Sequence, residues 1–85
     1  MKKIYKYDVA IVECQLIPMP LGAKILSIAL QNGEVKIWAM VNPEEGVLVP
    51  RHILLVGTGQ RVEDDAQTFL GTVNMGAFVW HFFEC

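Results

Sequence analysis

The sequence predicts an all-β fold: a small antiparallel sandwich or barrel of six to seven short strands. Three observations predict it. Apolar and polar residues alternate with a period of two over several short runs, as in half-buried strands. Clusters of Gly, Pro and Asn punctuate those runs at turn spacing. No run sustains the 3.6-residue period of an amphipathic helix. At 85 residues the chain makes one domain, over residues 1–85.

Ile4 to Val9 alternates Tyr5, Tyr7 and Val9 against Ile4, Lys6 and Asp8, and reads as the first strand. Ala10 to Ile17 continues extended, although Val9 to Glu13 is also compatible with a turn of helix. Pro18-Met19-Pro20 excludes helix, since each proline lacks a donor and the residue before it avoids the α region. Leu21-Gly22 then turns the chain into its centre.

That centre is the stretch from Lys24 to Asn42. Asn32-Gly33 tolerates positive φ at both central positions of a two-residue type I′ turn, so a hairpin forms around it. The turn sets a register in which Gln31 faces Glu34, Leu30 faces Val35, Ile28 faces Ile37 and Leu26 faces Ala39. Leu26, Ile28 and Leu30 share the apolar face. The other face pairs Ala29 with Lys36, Ser27 with Trp38 and Ile25 with Met40. A slip of one residue would invert both faces, so turn and pattern agree.

Pro43 to Gly46 is a loop. Val47 to Val49 extends as far as Pro50, and Arg51 to Val56 forms a further strand, interrupted by Gly57-Thr58-Gly59. Gln60 to Ala66 is a polar, acidic loop, with room for one short helix at Glu63 to Gln67. Gln67 to Asn74 and Ala77 to Glu84 are the last strands, joined by a turn at Met75-Gly76.

Composition bounds the function. The chain is 53% hydrophobic and 19% charged, apolar for so small a domain. Apolar surface beyond what one small core can hide predicts self-association. The formal net charge of -2 gives no overall attraction to nucleic acid, so no nucleic-acid polymer is expected as partner. Lys2, Lys3 and Lys6 at the start, and Glu63, Asp64 and Asp65 later, read as solvated surface. Tyr5, Lys6, Tyr7 and Asp8 break any signal-peptide core. No stretch reaches the roughly 18 apolar residues of a membrane-spanning helix. The expectation is a cytoplasmic protein without membrane contact. Cys14 and Cys85 lack metal-site or disulfide spacing and read as reduced thiols.

Several blocks together carry a resemblance: Ile4 to Tyr7 (IYKY), Gly22 to Ser27 (GAKILS), Gln31 to Gly33, Trp38-Ala39 leading to Asn42-Pro43, Gly57 to Gly59 (GTG), Phe69 to Thr72 (FLGT), and Phe78 to Glu84 (FVWHFFE). They span nearly the whole chain. The sequence resembles a family of small uncharacterised bacteriophage and prophage proteins. The resemblance carries no activity and no catalytic residues. Its relatives often have histidine after GTG, where this chain has Gln60, which weakens any acid–base reading of that position. A phage setting implies a homo-oligomeric protein that acts in the host cytoplasm by binding and sequestering a small anionic, nucleotide-like immune signal; the alternative is an inhibitor or accessory factor that docks on a host protein through its apolar strand faces.

Candidate site residues follow from the residues themselves. Gly57, Thr58 and Gly59 follow a strand, and their backbone N–H groups could converge on an anion, with Arg51 and Arg61 supplying charge. The same glycines also suit a strand-end turn or bulge. Trp38 and Met40, on the hairpin face opposite Ile28 and Ile37, call for a cover: a second sheet, a second subunit, or, on Trp38, a planar ligand. Phe78, Trp80 and Phe82 lie in a strand that is apolar on both faces, which predicts a subunit interface on one of them. His52 and His81 have no matched carboxylate, so neither a metal nor a cofactor is expected. No nucleophile stands near an obvious base, and the chain is expected not to be an enzyme.

The hairpin register generates a test. Ile28→Asp places an unpaired charge on the core face and should cost several kcal/mol, enough to prevent folding. Ser27→Asp, on the opposite face, should be much milder. Chemical denaturation of both variants decides it: equal damage would contradict the register.

Overall fold

The computed structural model describes residues 1–85 as seven strands and no helix. These are β1 (Lys3–Asp8), β2 (Cys14–Pro20), β3 (Lys24–Gln31), β4 (Glu34–Val41), β5 (Leu48–Gly57), β6 (Thr68–Met75) and β7 (Phe78–Glu84). They form two antiparallel sheets, one of order β1-β4-β3 and one of order β2-β5-β7-β6. The first is called here the hairpin sheet and the second the large sheet. The stretch at Glu63 to Gln67 is a turn, closed by Ala66 N–H donating to the Glu63 carbonyl at 3.0 Å, and not a helix.

Asn32 and Gly33 both have positive φ, 52° and 79°, as the two-residue turn requires. From that turn Gln31 pairs with Glu34, Leu30 with Val35, Ile28 with Ile37 and Ser27 with Trp38. The expected register then fails at Leu26. A bulge between Ile25 and Ser27 places Ile25 opposite Ala39 and Lys24 opposite Met40, leaving Leu26 unpaired and exposed. An extra residue in one strand bends it and restores the pleat on the far side, so Ile25 takes the inward place expected of Leu26. Leu30, near the turn, is also exposed.

The strand expected to stop at Pro50 runs straight through it as β5. The ladder explains why. Leu55 N–H donates to Glu13 O, and Leu21 N–H to Val47 O, so the hydrogen-bonded pairs of β2 and β5 fall on odd-numbered residues. Pro18, Pro20 and Pro50 occupy the alternate pairs, Pro18 facing Pro50. There a missing N–H costs that ladder nothing. On the other side β7 pairs only from Ile53 onward, so no ladder asks Pro50 for a donor.

The core lies between the sheets. Val35, Ile37, Ala39 and Val41 of β4 face Ile17, Met19, Ile53, Val73 and Phe82 of the large sheet. Phe82 is the largest side chain at 0% exposure. The sheets meet most closely where β3 lies against β6. Gly71 makes that approach possible: a Cβ there would sit 2.5 Å from Ile28 Cγ2. A bulge beside it, between Phe69 and Gly71, bends β6 at this point. The molecule is flat, with extents of 40 × 31 × 16 Å, which suits two sheets packed about 10 Å apart.

The Gly71 contact is testable. Gly71→Ala should destabilise the protein by about 1–3 kcal/mol through overpacking. Adding Ile28→Leu, which removes the branch at Cβ, should recover part of the loss. Urea denaturation of the two single variants and the pair measures the coupling; strict additivity would contradict the contact.

Candidate functional site

In the glycine loop after β5 the N–H groups of Gly57, Thr58 and Gln60 are already bonded. Gly57 N–H donates to Gln60 Oε1 at 2.7 Å. Thr58 N–H donates to the Val79 carbonyl at 3.4 Å, and Gln60 N–H to the Gly57 carbonyl at 3.0 Å. Thr58 Oγ1 lies 2.7 Å from His81 Nε2, and Thr72 Oγ1 lies 2.9 Å from His81 Nδ1. The loop is therefore a turn that anchors His81, with the Gly57 and Thr58 donors turned inward rather than converging on an anion. The Gln60 side chain fills the place where an anion would accept from Gly57.

Arg51 is also engaged elsewhere. It faces inward from β5, opposite Ile17. Its guanidinium makes a two-point contact with the Glu84 carboxylate, including Nη2 to Oε1 at 2.9 Å, and Nη1 donates to the Ala23 carbonyl at 2.7 Å. The bond to Glu84 raises the arginine's pKa above its already high ordinary value. This places Arg51 as a clamp tying β5 and β7 to the start of β3, and corrects its expected role on a ligand. Arg61 is different. It is exposed and borders a groove of about 340 Å³ with Glu13, Cys14, Leu54, Gln60 and Glu63. The groove's two glutamates against one arginine leave it net acidic.

A second groove, of about 270 Å³, lies on the other side of the loop, along Gly57, Thr58, Gln60 and Phe78 to Trp80. Phe78 and Trp80 stack there with ring centroids 5.3 Å apart and planes at 8°. Phe78 is 60% exposed, whereas Trp80 packs against the core. Phe82, two residues further on, is wholly buried and cannot reach a neighbouring subunit. Phe78, Trp80 and Phe82 share one face of β7, but only Phe82 is wholly buried in the core and Phe78 lies exposed at the strand's start, so the expected interface strip splits along its length.

The two outer faces of the sandwich differ in chemistry. On the hairpin sheet, Trp38 and Met40 lie on the open face as expected, half-buried among Lys6, Asp8, Lys24, Ser27 and Lys36. Lys6 Nζ donates to Gln31 Oε1 at 2.8 Å. Lys36 bonds Asp8, whose carboxyl it holds below the usual carboxylate range. Ile4, opposite Met40, is 61% exposed on this face, but the lysines and carboxylates around it carry charge into water. On the large sheet, the outward residues of the strands include Cys14, Leu16, Pro18, Pro50, His52, Leu54, Phe69, Thr72, Asn74, Val79, His81 and Phe83, and none is an acid, a lysine or an arginine. Leu16 is 62% and Phe69 57% exposed. Phe69 and Phe83 meet edge-on, with centroids 5.4 Å apart.

One juxtaposition was not legible in the sequence. Cys14 Sγ lies 2.6 Å from His52 Nε2 across the β2–β5 ladder. Finding it would have required the register of two strands joined by a long connection, and nothing local in either strand announces that register.

The chain belongs to the family described as Domain of unknown function (DUF7352), whose model matches residues 1–85. No curated protein and no solved structure matches it.

The two arginines give the test. Arg51→Gln should lower stability by about 1.5–3 kcal/mol by breaking charge-assisted bonds at a half-buried carboxylate. Arg61→Gln should leave stability unchanged. Thermal and urea unfolding of each variant checks this; an Arg51→Gln protein as stable as the parent would remove the clamp.

Proposed function

We propose that this member of the family is a non-enzymatic, homo-oligomeric accessory protein of phage or prophage origin that acts in the host cytoplasm by docking on a host protein. The docking surface is the outer face of the large sheet, through which copies of the chain pair with one another when the host protein is absent. The phage setting comes from the resemblance carried by the GAKILS, GTG and FVWHFFE blocks. The carrying observation is the contrast between the two outer faces. One is laced with Lys6, Asp8, Lys24 and Lys36, while the strands of the other carry exposed Leu16 and Phe69 and half-buried Leu54 and Phe83 without a formal charge. Monomeric proteins seldom leave such a contiguous apolar patch to water. A core of aromatic and aliphatic residues with charge kept to its rim is the usual anatomy of an interface. Arg61, Glu63 and Asp65, in the loop after β5, supply such a rim. The radius of gyration points the same way: 13.1 Å, against roughly 12 Å for a compact domain of this length.

A second reading keeps a small nucleotide-like ligand, held so as to sequester a host immune signal. The groove at Phe78 and Trp80 favours it, because an exposed aromatic face can stack a base whatever its sequence identity. Arg61 stands across Gln60 from that groove. Native mass spectrometry against a panel of cyclic dinucleotides and ADP-ribose derivatives distinguishes the readings. Bound nucleotide supports the second, and a bare assembly supports the first.

The docking reading predicts a dimer or larger species by light scattering at micromolar concentration. Leu16→Lys with Phe69→Lys should give a folded monomer. A parent protein that runs as a clean monomer would contradict assembly through this face.

A further inference from the structure

We infer that Cys14 is a nucleophilic thiol, a site of covalent modification by small soft electrophiles, with His52 as its proton acceptor. Three features of the fold support this. Cys14 Sγ and His52 Nε2 are 2.6 Å apart, within the reach expected of a nucleophile and its base. The ladder builds that contact. Leu16 pairs with His52 and Cys14 with Leu54, both in the non-hydrogen-bonded positions where side chains stand closest, so Cys14 and His52 are diagonal neighbours on one face. Finally, Cys14 is exposed and forms part of the wall of the 340 Å³ groove, a volume within the range that accepts a small molecule.

The chemistry is a simple displacement. As Cys14 sulfur forms its bond to the electrophilic carbon or sulfur, the bond to the leaving group breaks and the leaving group departs with the electron pair. The thiol proton passes to His52 Nε2 and from there to water or to the leaving group. With iodoacetamide, an S–C bond replaces the C–I bond and iodide is released. With a small disulfide, a mixed disulfide forms and one thiolate leaves, taking up the proton. His52 Nδ1 makes no hydrogen bond to another side chain, so the pair lacks the third, orienting member of a hydrolytic triad. Its chemistry ends at the modified thiol.

The molecule contains its own control. Cys85 is also free and exposed, but its sulfur lies 3.7 Å from Asp65 Oδ2. Partial desolvation, and then the Asp65 carboxylate, push the Cys85 thiol above its ordinary pKa, so less of it is thiolate near neutral pH. The two exposed cysteines flank the same histidine, since Cys85 N–H donates to the His52 carbonyl at 3.1 Å, but only the Cys14 sulfur contacts its ring, while the Cys85 sulfur contacts an anion.

The test is competitive labelling with limiting iodoacetamide near neutral pH, with the Cys14 and Cys85 peptides quantified by mass spectrometry. Cys14 should react about a hundredfold faster than Cys85, the lower end of what a positioned base contributes. His52→Gln should bring the two rates together, as should unfolding the parent in urea. Labelling across a dilution series separates this site from the docking face, because burial in an assembly would slow Cys14 only at high concentration. Equal rates in the folded parent at the lowest concentration would overturn the inference, whether or not the variant folds. So would a folded His52→Gln protein that keeps the parent's ratio.

Discussion

The structure depends on how closely two sheets can approach at one point. Ile28 of β3 lies over Gly71 of β6, and a single Cβ at residue 71 would stand 2.5 Å from the isoleucine's branch methyl. Hydrophobic burial is non-directional and would be satisfied by many arrangements. The glycine selects one of them, because only there can β3 settle onto β6. Once it does, Ile28 joins the same core as Val35, Ile37, Val73 and Phe82. The Arg51 clamp completes the arrangement by tying the Ala23 carbonyl, just before β3, to β5 and β7. Both devices join the hairpin sheet to the large sheet on their inner sides and leave the outer sides free.

Much of this was legible in the residues. Asn32-Gly33 announced both the hairpin and its register, because few dipeptides accept positive φ twice in succession. The period of two announced strands, and the apolar run from Phe78 to Phe83 announced a strand with neighbours on both sides, which β7 has. The illegible parts share a physical cause. Bulges at Leu26 and beside Gly71 insert one residue into a ladder, and nothing in a period-two pattern marks where that happens. The prolines of β2 and β5 read as breakers because their tolerance depends on pairing parity, a property of two strands rather than one. The same holds for the candidate site. The glycine loop looked like a set of free donors until Gln60 folded back on it, and Arg51 looked free until Glu84 came beside it. Cys14 and His52 are neighbours only once the β2–β5 register exists.

The flatness of the molecule links fold to function. Two thin sheets have two outer faces, and the seven strands of these 85 residues form no third layer over either. The hairpin sheet answers with lysines and carboxylates around Trp38 and Met40. The large sheet does not answer in kind, and its outward leucines and phenylalanines are exposed or half-buried. In the docking account that face is held for a partner, and Cys14 with His52 stands at its β2 edge.

That account turns on which face is covered in the assembled protein. Hydroxyl-radical footprinting at high and low protein concentration addresses it residue by residue. The account predicts that Leu16 and Phe69 lose reactivity as concentration rises, while Trp38 and Met40 react at a constant rate. Protection of Trp38 and Met40 with Leu16 and Phe69 unchanged would contradict it.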